Sequence, residues 1–411
     1  MKKIIVIGAG ITGCVIGYYL SLKGHKVEIY EQSQNIGGVM KDSIFKKKRF
    51  FSGPHYLNPN SSWFKKLFSE KESKKIFNLF GFSYGSFTDI FDEKLYVESF
   101  AHPSTRKKFK GLVNIKRNNL LINRLKIYQK EVSNKLIEWV KIHTKHYLNL
   151  HENCSDILAI SRLQFLKDRI KLKKLKKNSL ITDQLIGLPN KNLDSISAIL
   201  PSSGNDIFFN FFSKKLKKRG VKINTNKKIY LRKEGSSIQV FENKKKLFAD
   251  HFIWTANPVP LIKISNNRQL DNPFINSFLM YFDVIKNPNK INNYYTQVFS
   301  IKKKITRIFI YKISGKYRLT VEGIYDKDFN IKLCVENIKS ILKYLDKEIQ
   351  LSEHVGIKKI IKHNLYTKND YNEFKKFEMK NDSKIISGSW YDYSREKKIS
   401  SIIDHLNKQK L

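Results

Sequence analysis

The sequence predicts an α/β protein: a dinucleotide-binding domain built on a parallel sheet, with an α+β domain inserted into it. Three observations predict it. The first 31 residues run apolar strand, glycine turn, helix, strand and acid. Strand-and-helix patterning of the same kind returns at 200–262 and at 356–411. Between these, 63–199 reads as helical and 263–355 as antiparallel strands. A chain of 411 residues is long enough for two domains, or for one with a sizeable insertion.

The opening stretch dictates a chemistry. Ile4 to Ile7 is the short apolar run of a strand buried on both faces, and Gly8, Gly10 and Gly13 follow it as G-x-G-x-x-G. Gly8 permits the tight turn, Gly10 lets the backbone approach a pyrophosphate, and Gly13 lets the helix pack on the strand. Residues 11 to 23 form that helix and Gly24 stops it. Its first residues, Ile11 and Thr12, present free N–H groups to a diphosphate, which the helix dipole also favours. Lys26 to Tyr30 is the next strand, ending on Glu31 and Gln32. Glu31 lies 23 residues after Gly8, close to the spacing of about 20 at which a carboxylate accepts hydrogen bonds from a ribose. Met1-Lys2-Lys3 before an apolar run also has the look of a signal peptide or a membrane span. Four glycines, no A-x-A-like site and direct continuation into KVEIYE argue against both.

Gly37 and Gly38 follow Glu31 by six and seven positions. With that pair, the segment resembles the N-terminal signature of FAD enzymes related to amine oxidases, protoporphyrinogen oxidase and UDP-galactopyranose mutase. The resemblance implies a Rossmann-like FAD-binding domain, with the ADP half of FAD on the first strand-helix-strand unit and the glycine pair near the diphosphate. Asn35 and Val39 stand where arginines are frequent in that group, so phosphate contacts would be fewer or come from elsewhere.

Ser52-Gly53-Pro54-His55 is a turn, and His55 is the first histidine that a loop presents. The stretch resembles the G-P-H loop of the sugar mutases, which lies over the flavin ring; the later histidine of that motif falls on Asn58 here. On this resemblance Gly53, Pro54 and His55 contact the cofactor, and His55 donates to the reactive ring edge or tunes its charge. A loop histidine with a local hydrogen bond is the other reading.

From Trp63 to about Leu200 glycine nearly disappears. Asn118–Leu150 and Asp156–Lys177 carry apolar residues at three- and four-residue intervals and read as long helices. In the second, Leu163, Leu166, Ile170 and Leu175 line one side beside Lys171, Lys173, Lys174, Lys176 and Lys177. Such a helix could rest on an anionic membrane surface, or pack its stripe on the domain and solvate its lysines.

Pro201 to Asn205 is a loop before a helix, Asp206 to Arg219, which stops at Gly220. Short strands follow at 221–224 and 228–231, then FADHFIWTA at 248–256, broken by Asn257-Pro258-Val259-Pro260. The order is similar to the family's return to its FAD domain, where backbone near Ile229 would hold the adenine. Four β runs occupy 279–323, with Ser314-Gly315 as a hairpin turn. Among them Thr306-Arg307-Ile308 resembles the T-R-I of the sugar mutases, whose arginine meets the substrate diphosphate; a solvated strand arginine is the plainer reading. Lys332–Ile349 reads as a helix. Residues 384–390 with the helix after them resemble the closing turn of the family's FAD domain, which implies cofactor contacts for Gly388 and Trp390.

A net charge of +42 would by itself suggest nucleic acid, membrane or acidic substrates. The lysines are spread along the whole chain and no nucleic-acid motif interrupts them, so the charge reads as compositional drift. Three distant cysteines, without C-x-x-C, support neither disulfides nor a metal site and fit a reducing cytoplasm. Cys14 reads as a small buried filler. The expectation is an FAD-dependent oxidoreductase that takes a hydride from a small organic substrate, with His55 and Arg307 as candidate catalytic residues. The alternative is a redox-neutral, flavin-dependent nucleotide-sugar mutase. A third possibility is a membrane-docked, non-catalytic relative. Oligomeric state is not legible, and no second G-x-G-x-x-G supports an NAD(P)H site.

Overall fold

The computed structural model describes residues 1–81, 83–88, 95–98, 112–114, 170–172, 197–235, 237–266, 274–287, 294–300, 302–345, 348–364, 368–380, 384–388 and 395–411. The chain opens with β1 (Lys3–Ile7), α1 (Ile11–Leu22) and β2 (Lys26–Tyr30). These belong to a five-stranded sheet ordered Lys222–Asn224, β2, β1, His251–Trp254, Ile385–Ser387. Every pairing in it is parallel. The chain therefore enters one sheet three times, from residues hundreds of positions apart, as the recurring strand-and-helix pattern predicts.

Burial on both faces explains the uninterrupted apolar strands. Ile4, Val6, Ile29, Ile253 and Ile386 meet α1 and the helices Asn205–Lys218 and Arg395–Lys408 on one face. Ile5, Ile7, Phe252, Trp254 and Ile385 meet Leu261 and Ile262 of the helix Val259–Asn266, and Phe374 and Phe377 of Lys368–Lys380, on the other. Each strand except the edge strand Lys222–Asn224 contributes to both cores by simple alternation.

The second sheet has seven strands in the order Gln350–Asn364, Phe274–Lys286, Lys316–Ile324, Ile305–Ile313, Tyr294–Phe299, Ser83–Thr88, Leu95–Glu98. All neighbours are antiparallel except Tyr294–Phe299 with Ser83–Thr88. Ser314 and Gly315, at φ 47 and 77, form the hairpin turn that their sequence predicts. Ile308 and Ile310 pack with Ile338 and Ile341 of the helix Ile331–Leu345, while Phe309 and Tyr311 turn to the opposite face and pack on Phe51 and Leu200. No helix among the described residues is long and apolar enough to cross a membrane.

Two expectations are corrected. The stretch 63–199 is not purely helical: Phe77–Gly81, Ser83–Thr88, Leu95–Glu98, Leu112–Asn114 and Ile170–Leu172 are strands. Leu112–Asn114 and Ile170–Leu172 are three residues long, so a window long enough to test helical period averages them away, while the aromatic run 77–88 carried a strand signal that was passed over. The rest of the two long predicted helices, and most of the basic stripe, lies outside the described residues. The second correction concerns 356–364, which belongs to the seven-stranded sheet through the edge strand Gln350–Asn364, not to the dinucleotide domain. Register shifts along its pairing with Phe274–Lys286 break the two-residue period that would have revealed it.

The segment after Gly38 is tied to the helix Asn205–Lys218 by Asp42. This fully buried carboxylate accepts from the Asp206 N–H at 3.1 Å, from Asn205 Nδ2 at 3.2 Å and from Arg49 Nη1 at 3.1 Å. Arg49 also reaches Asp206 Oδ2 at 2.8 Å. Burial pushes the Asp42 carboxyl up to about 6, the Asp206 charge adds to this, and the hydrogen bonds oppose it. Its folded-state value exceeds its ordinary 3.8, so the folded chain binds the extra proton between those values. Asp42's contribution to stability is therefore full below 3.8 and is lost as pH rises through about 6. The stability of the native protein relative to an Asp42→Asn variant should fall across that window and stay level above it. Urea midpoints of the two proteins, measured through and beyond the window, check this.

Candidate functional site

At the outer end of the parallel sheet, β1 gives way to the glycine turn. Gly8 takes φ 99 and its N–H donates to the Tyr30 carbonyl at 2.8 Å. A Cβ on Gly13 would stand 1.9 Å from the Gly8 carbonyl oxygen, so helix and strand approach to a distance only glycine allows. Thr255, just past the strand His251–Trp254, places Oγ1 within 3.0 Å of the Ile7 and Gly8 carbonyls and closes the turn from the other side.

Glu31 is buried and aimed at this turn. Its Oε2 accepts from the Ala9 N–H and its Oε1 from the Ser33 N–H, each at 2.9 Å. Each carboxylate oxygen accepts more than one hydrogen bond, which leaves capacity for ribose hydroxyls. The glycine pair arrives beside it. Gly37 donates to the Ala9 carbonyl at 2.8 Å, and a Cβ on Gly38 would meet Gly10 Cα at 3.1 Å. Both need a positive φ, 124 and 57. The segment expected to hold the adenine is also here: Lys227 N–H donates to the Glu31 carbonyl at 2.9 Å, two residues before Ile229.

Two observations test the fit of a dinucleotide. A Cβ on Gly10 would meet no atom within 4 Å, so the turn opens on free space where a phosphate would sit. In addition α1 begins at Gly10 with no side-chain cap and no acid in its first turn. Its leading N–H groups at buried Ile11 and half-buried Thr12 are thus left to an anion. Gln32 is exposed beside Glu31. The residues fit the group.

The loop after the hairpin Ser43–Phe45 and Lys48–Phe50 carries Gly53, at φ 134, Pro54 and His55, whose N–H donates to the Gly53 carbonyl at 2.9 Å. Phe51 clamps this loop to the large sheet. Its N–H donates to Tyr311 Oη at 3.0 Å and its carbonyl accepts from Thr320 Oγ1 at 2.9 Å. Next in the chain after His55, the Tyr56 ring sits edge-on to Phe309 at 5.7 Å.

Arg307 lies on this same face of the sheet but is not solvated. It is buried, with its Nη1 3.5 Å from Glu322 Oε2. Burial works against its charge, yet Glu322, Tyr295 and Tyr56 outweigh that and hold the guanidinium above its ordinary value. The plain reading of a solvated strand arginine is overturned, because two-residue alternation puts Arg307 with Phe309 and Tyr311 on the covered side. His55 precedes Tyr56 in the chain, and Tyr56 acts electrostatically on Arg307.

Gly388 is buried against Ile402 and the Lys398 carbonyl of the last helix, Arg395–Lys408. Trp390 lies outside the described residues. Sequence reading passed over Thr255, Tyr56, Glu322 and Arg395. For Arg395 a signal existed: a cation at the first position of a helix opposes the dipole, so it needs another reason to be there.

Residues 6–70 match the NAD(P)-binding Rossmann-like domain family. Solved structures share the overall fold at low identity. The reduced UDP-galactopyranose mutase superposes with a TM-score of 0.66 at 14% identity, over 98% of this chain and 93% of its own. A putrescine oxidase bound to putrescine gives 0.59 at 10%, over 100% and 99%. An oxidoreductase from Methanosarcina mazei gives 0.58 at 13%, over 98% and 100%. The chain shares the fold of these solved structures.

Gly10→Ala should leave thermal stability nearly unchanged, since its methyl meets no protein atom, while dinucleotide binding measured by fluorescence titration drops at least tenfold. Gly13→Ala should lower stability and binding together. Arg307→Ala should destabilise the protein by about 3–5 kcal/mol, because it strands the buried Glu322 charge. Denaturant unfolding of that variant checks the figure.

Proposed function

We propose that this chain binds FAD along the outer edge of the parallel sheet and acts as an oxidoreductase on a small organic substrate. The observation that supports the reading best is the buried Glu31 carboxylate, aimed at the Ala9 N–H beneath an uncapped helix start. FAD, when bound, supplies a two-electron acceptor for a hydride from a substrate C–H bond. The chain's residues bind and orient it. Gly8, Gly10, Ile11, Thr12 and Gly13 receive the diphosphate with Gly37 and Gly38, while Glu31, with Gln32 beside it, takes the ribose. The backbone near Ile229 borders the adenine, and Gly388 and, on the sequence resemblance, Trp390 contact the cofactor.

Gly53, Pro54 and His55 stand at the ring end, where His55 donates a hydrogen bond or adjusts local charge. The inserted sheet covers that end and holds substrate against it, with residues 1–62, 200–262 and 368–411 forming the cofactor domain. Phe51, fixed to Tyr311 and Thr320, keeps the loop and the sheet in one position.

A second reading is a redox-neutral nucleotide-sugar mutase. It is favoured by the likeness to UDP-galactopyranose mutase and by Arg307 lying on the covered face beside Tyr56. Against it, the Arg307 charge is already matched by Glu322, so less of it remains for a substrate diphosphate.

Purified protein reconstituted with FAD should show a flavin absorbance spectrum; a colourless product would overturn both readings. Under anaerobic conditions an oxidoreductase substrate should bleach that spectrum, with colour returning on addition of oxygen or a quinone. Turnover of a nucleotide sugar by pre-reduced protein, with no acceptor consumed, would instead select the mutase.

A further inference from the structure

The parallel sheet has a second end, opposite the glycine turn, that the proposed reaction does not use. Exposed lysines stand where its strands begin: Lys2 before β1, Lys26 at the start of β2, Lys222 opening Lys222–Asn224 and Lys384 before Ile385–Ser387. The helices run back against the strands, so α1, Asn205–Lys218 and Arg395–Lys408 finish at the same end. There Lys23 Nζ donates to Asn407 Oδ1 at 2.9 Å, and the Arg219 guanidinium lies 6.0 Å from the Tyr18 ring centre. These helix ends add exposed Lys23, Lys217, Lys218, Arg219 and Lys408. Among the described residues the exposed acids at this end are Asp250 and Asp404, and Asp250 already accepts from the Lys3 N–H at 2.7 Å.

The whole chain holds 78 lysines and arginines to 36 acids, about two to one. At this end the exposed cations just named outnumber the exposed acids by nine to two, more than a uniform drift toward lysine provides. Helix dipoles account for part of the excess. Each C-terminus carries roughly half a negative charge, which one lysine per helix more than offsets. Two histidines register the remaining field. Burial holds His25 below its ordinary 6.5, and cations that include Lys2, Lys23 and His251 add to this. Burial, Lys408 and His251 lower His405 in the same way.

Two large apolar side chains stand out from the same end. Phe248, just before the strand His251–Trp254, is 71% exposed, and Leu22, the last residue of α1, is 43% exposed. They lie on opposite sides of the sheet, since Leu247 and Ala249 pack into the core beneath Val259–Asn266 and α1 packs into the other. A nucleic acid would take the lysines and stack a base on Phe248, but it has no use for Leu22 on the far side. A lipid surface meets both at once, with ammonium groups among the lipid phosphates and the apolar side chains below them.

We propose that this end of the parallel sheet docks on an anionic lipid surface, through the exposed lysines that surround Phe248 and Leu22. Docked in this way, the glycine turn and Glu31 face away from the lipid at the other ends of the five-residue strands β1 and β2. Cofactor and substrate then reach the site from water.

Sedimentation with lipid vesicles tests this. The protein should bind vesicles of equal parts phosphatidylcholine and phosphatidylserine, come off as salt is added, and ignore vesicles of phosphatidylcholine alone. Lys26→Gln, Lys217→Gln and Lys408→Gln combined should weaken binding roughly tenfold or more. Removing the same charge from the helix Ile331–Leu345, with Lys332→Gln, Lys339→Gln and Lys343→Gln, should weaken it less than about threefold. Phe248→Ser should weaken it about threefold or more and leave the salt dependence unchanged, because it removes apolar burial and no charge. All of these side chains are exposed, so the variants keep the fold. Absence of binding to the mixed vesicles, equal losses in the two triple variants, or undiminished binding by Phe248→Ser would overturn the proposal. Tighter binding to a single-stranded RNA than to the vesicles, lost in the first triple variant, would also overturn it and assign this end to nucleic acid.

Discussion

The hydrogen bond from the Ala9 N–H to Glu31 Oε2 is the constraint around which the rest of this structure is arranged. It fixes the distance between the end of β2 and the turn after β1. That distance in turn sets where Gly37 can donate back to the Ala9 carbonyl. A buried carboxylate is tolerable only when hydrogen-bonded, and the partners here are two backbone N–H groups with no charge of their own. The negative charge is therefore held in place without being cancelled. Hydroxyl groups can still donate to it, which a carboxylate locked to an arginine would do poorly.

The second constraint is the seam between the loop at 51–56 and the large sheet. Phe51 has both backbone polar groups satisfied by side chains of that sheet, Tyr311 and Thr320, which are themselves 2.9 Å apart. Three groups in a closed hydrogen-bonded ring, packed against Phe309, leave little freedom for the loop to slide. The loop carrying His55 is thus positioned by the inserted domain as much as by the domain it belongs to. The side chain of Arg307, on the same face, is enclosed by the same packing.

The cofactor half was legible in the sequence because each of its parts is local. β1, the glycines, α1 and Glu31 are contiguous, and each residue type follows from a steric or electrostatic need at its own position. Gly37 and Gly38 were also legible: Gly37 takes a φ of 124 that side chains rarely adopt, and a Cβ on Gly38 would crowd Gly10. The inserted domain was harder. Arg307 was read as solvated because its neighbours in sequence do not reveal Glu322, which reaches it only through strand pairing. Gln350–Asn364 went unseen because its irregular register hides the alternation, and the helical period of 63–199 covered short strands whose partners lie far away at 197–201 and 294–299. What depended on contacts distant in sequence could not be read from spacing alone.

The charge of +42 fits this division between inside and outside. Among the described residues the buried charged groups are Glu31, Asp42, Glu322, Asp370, Glu373 and Arg307, and no lysine is among them. A flexible ammonium on a long stem reaches solvent from almost any surface position, so lysine can accumulate there without touching the packed core. The acids that remain inside do specific work: one closes the glycine turn, one caps the helix Asn205–Lys218, and one balances the buried arginine. A drift toward lysine that had replaced any of these three would have left an N–H or a guanidinium unpaired in the interior, at a cost of roughly 1–3 kcal/mol or more. The composition is thus extreme where substitution is nearly free and ordinary where each charge has a partner, so the basic surface and the geometry of the site have separate physical causes.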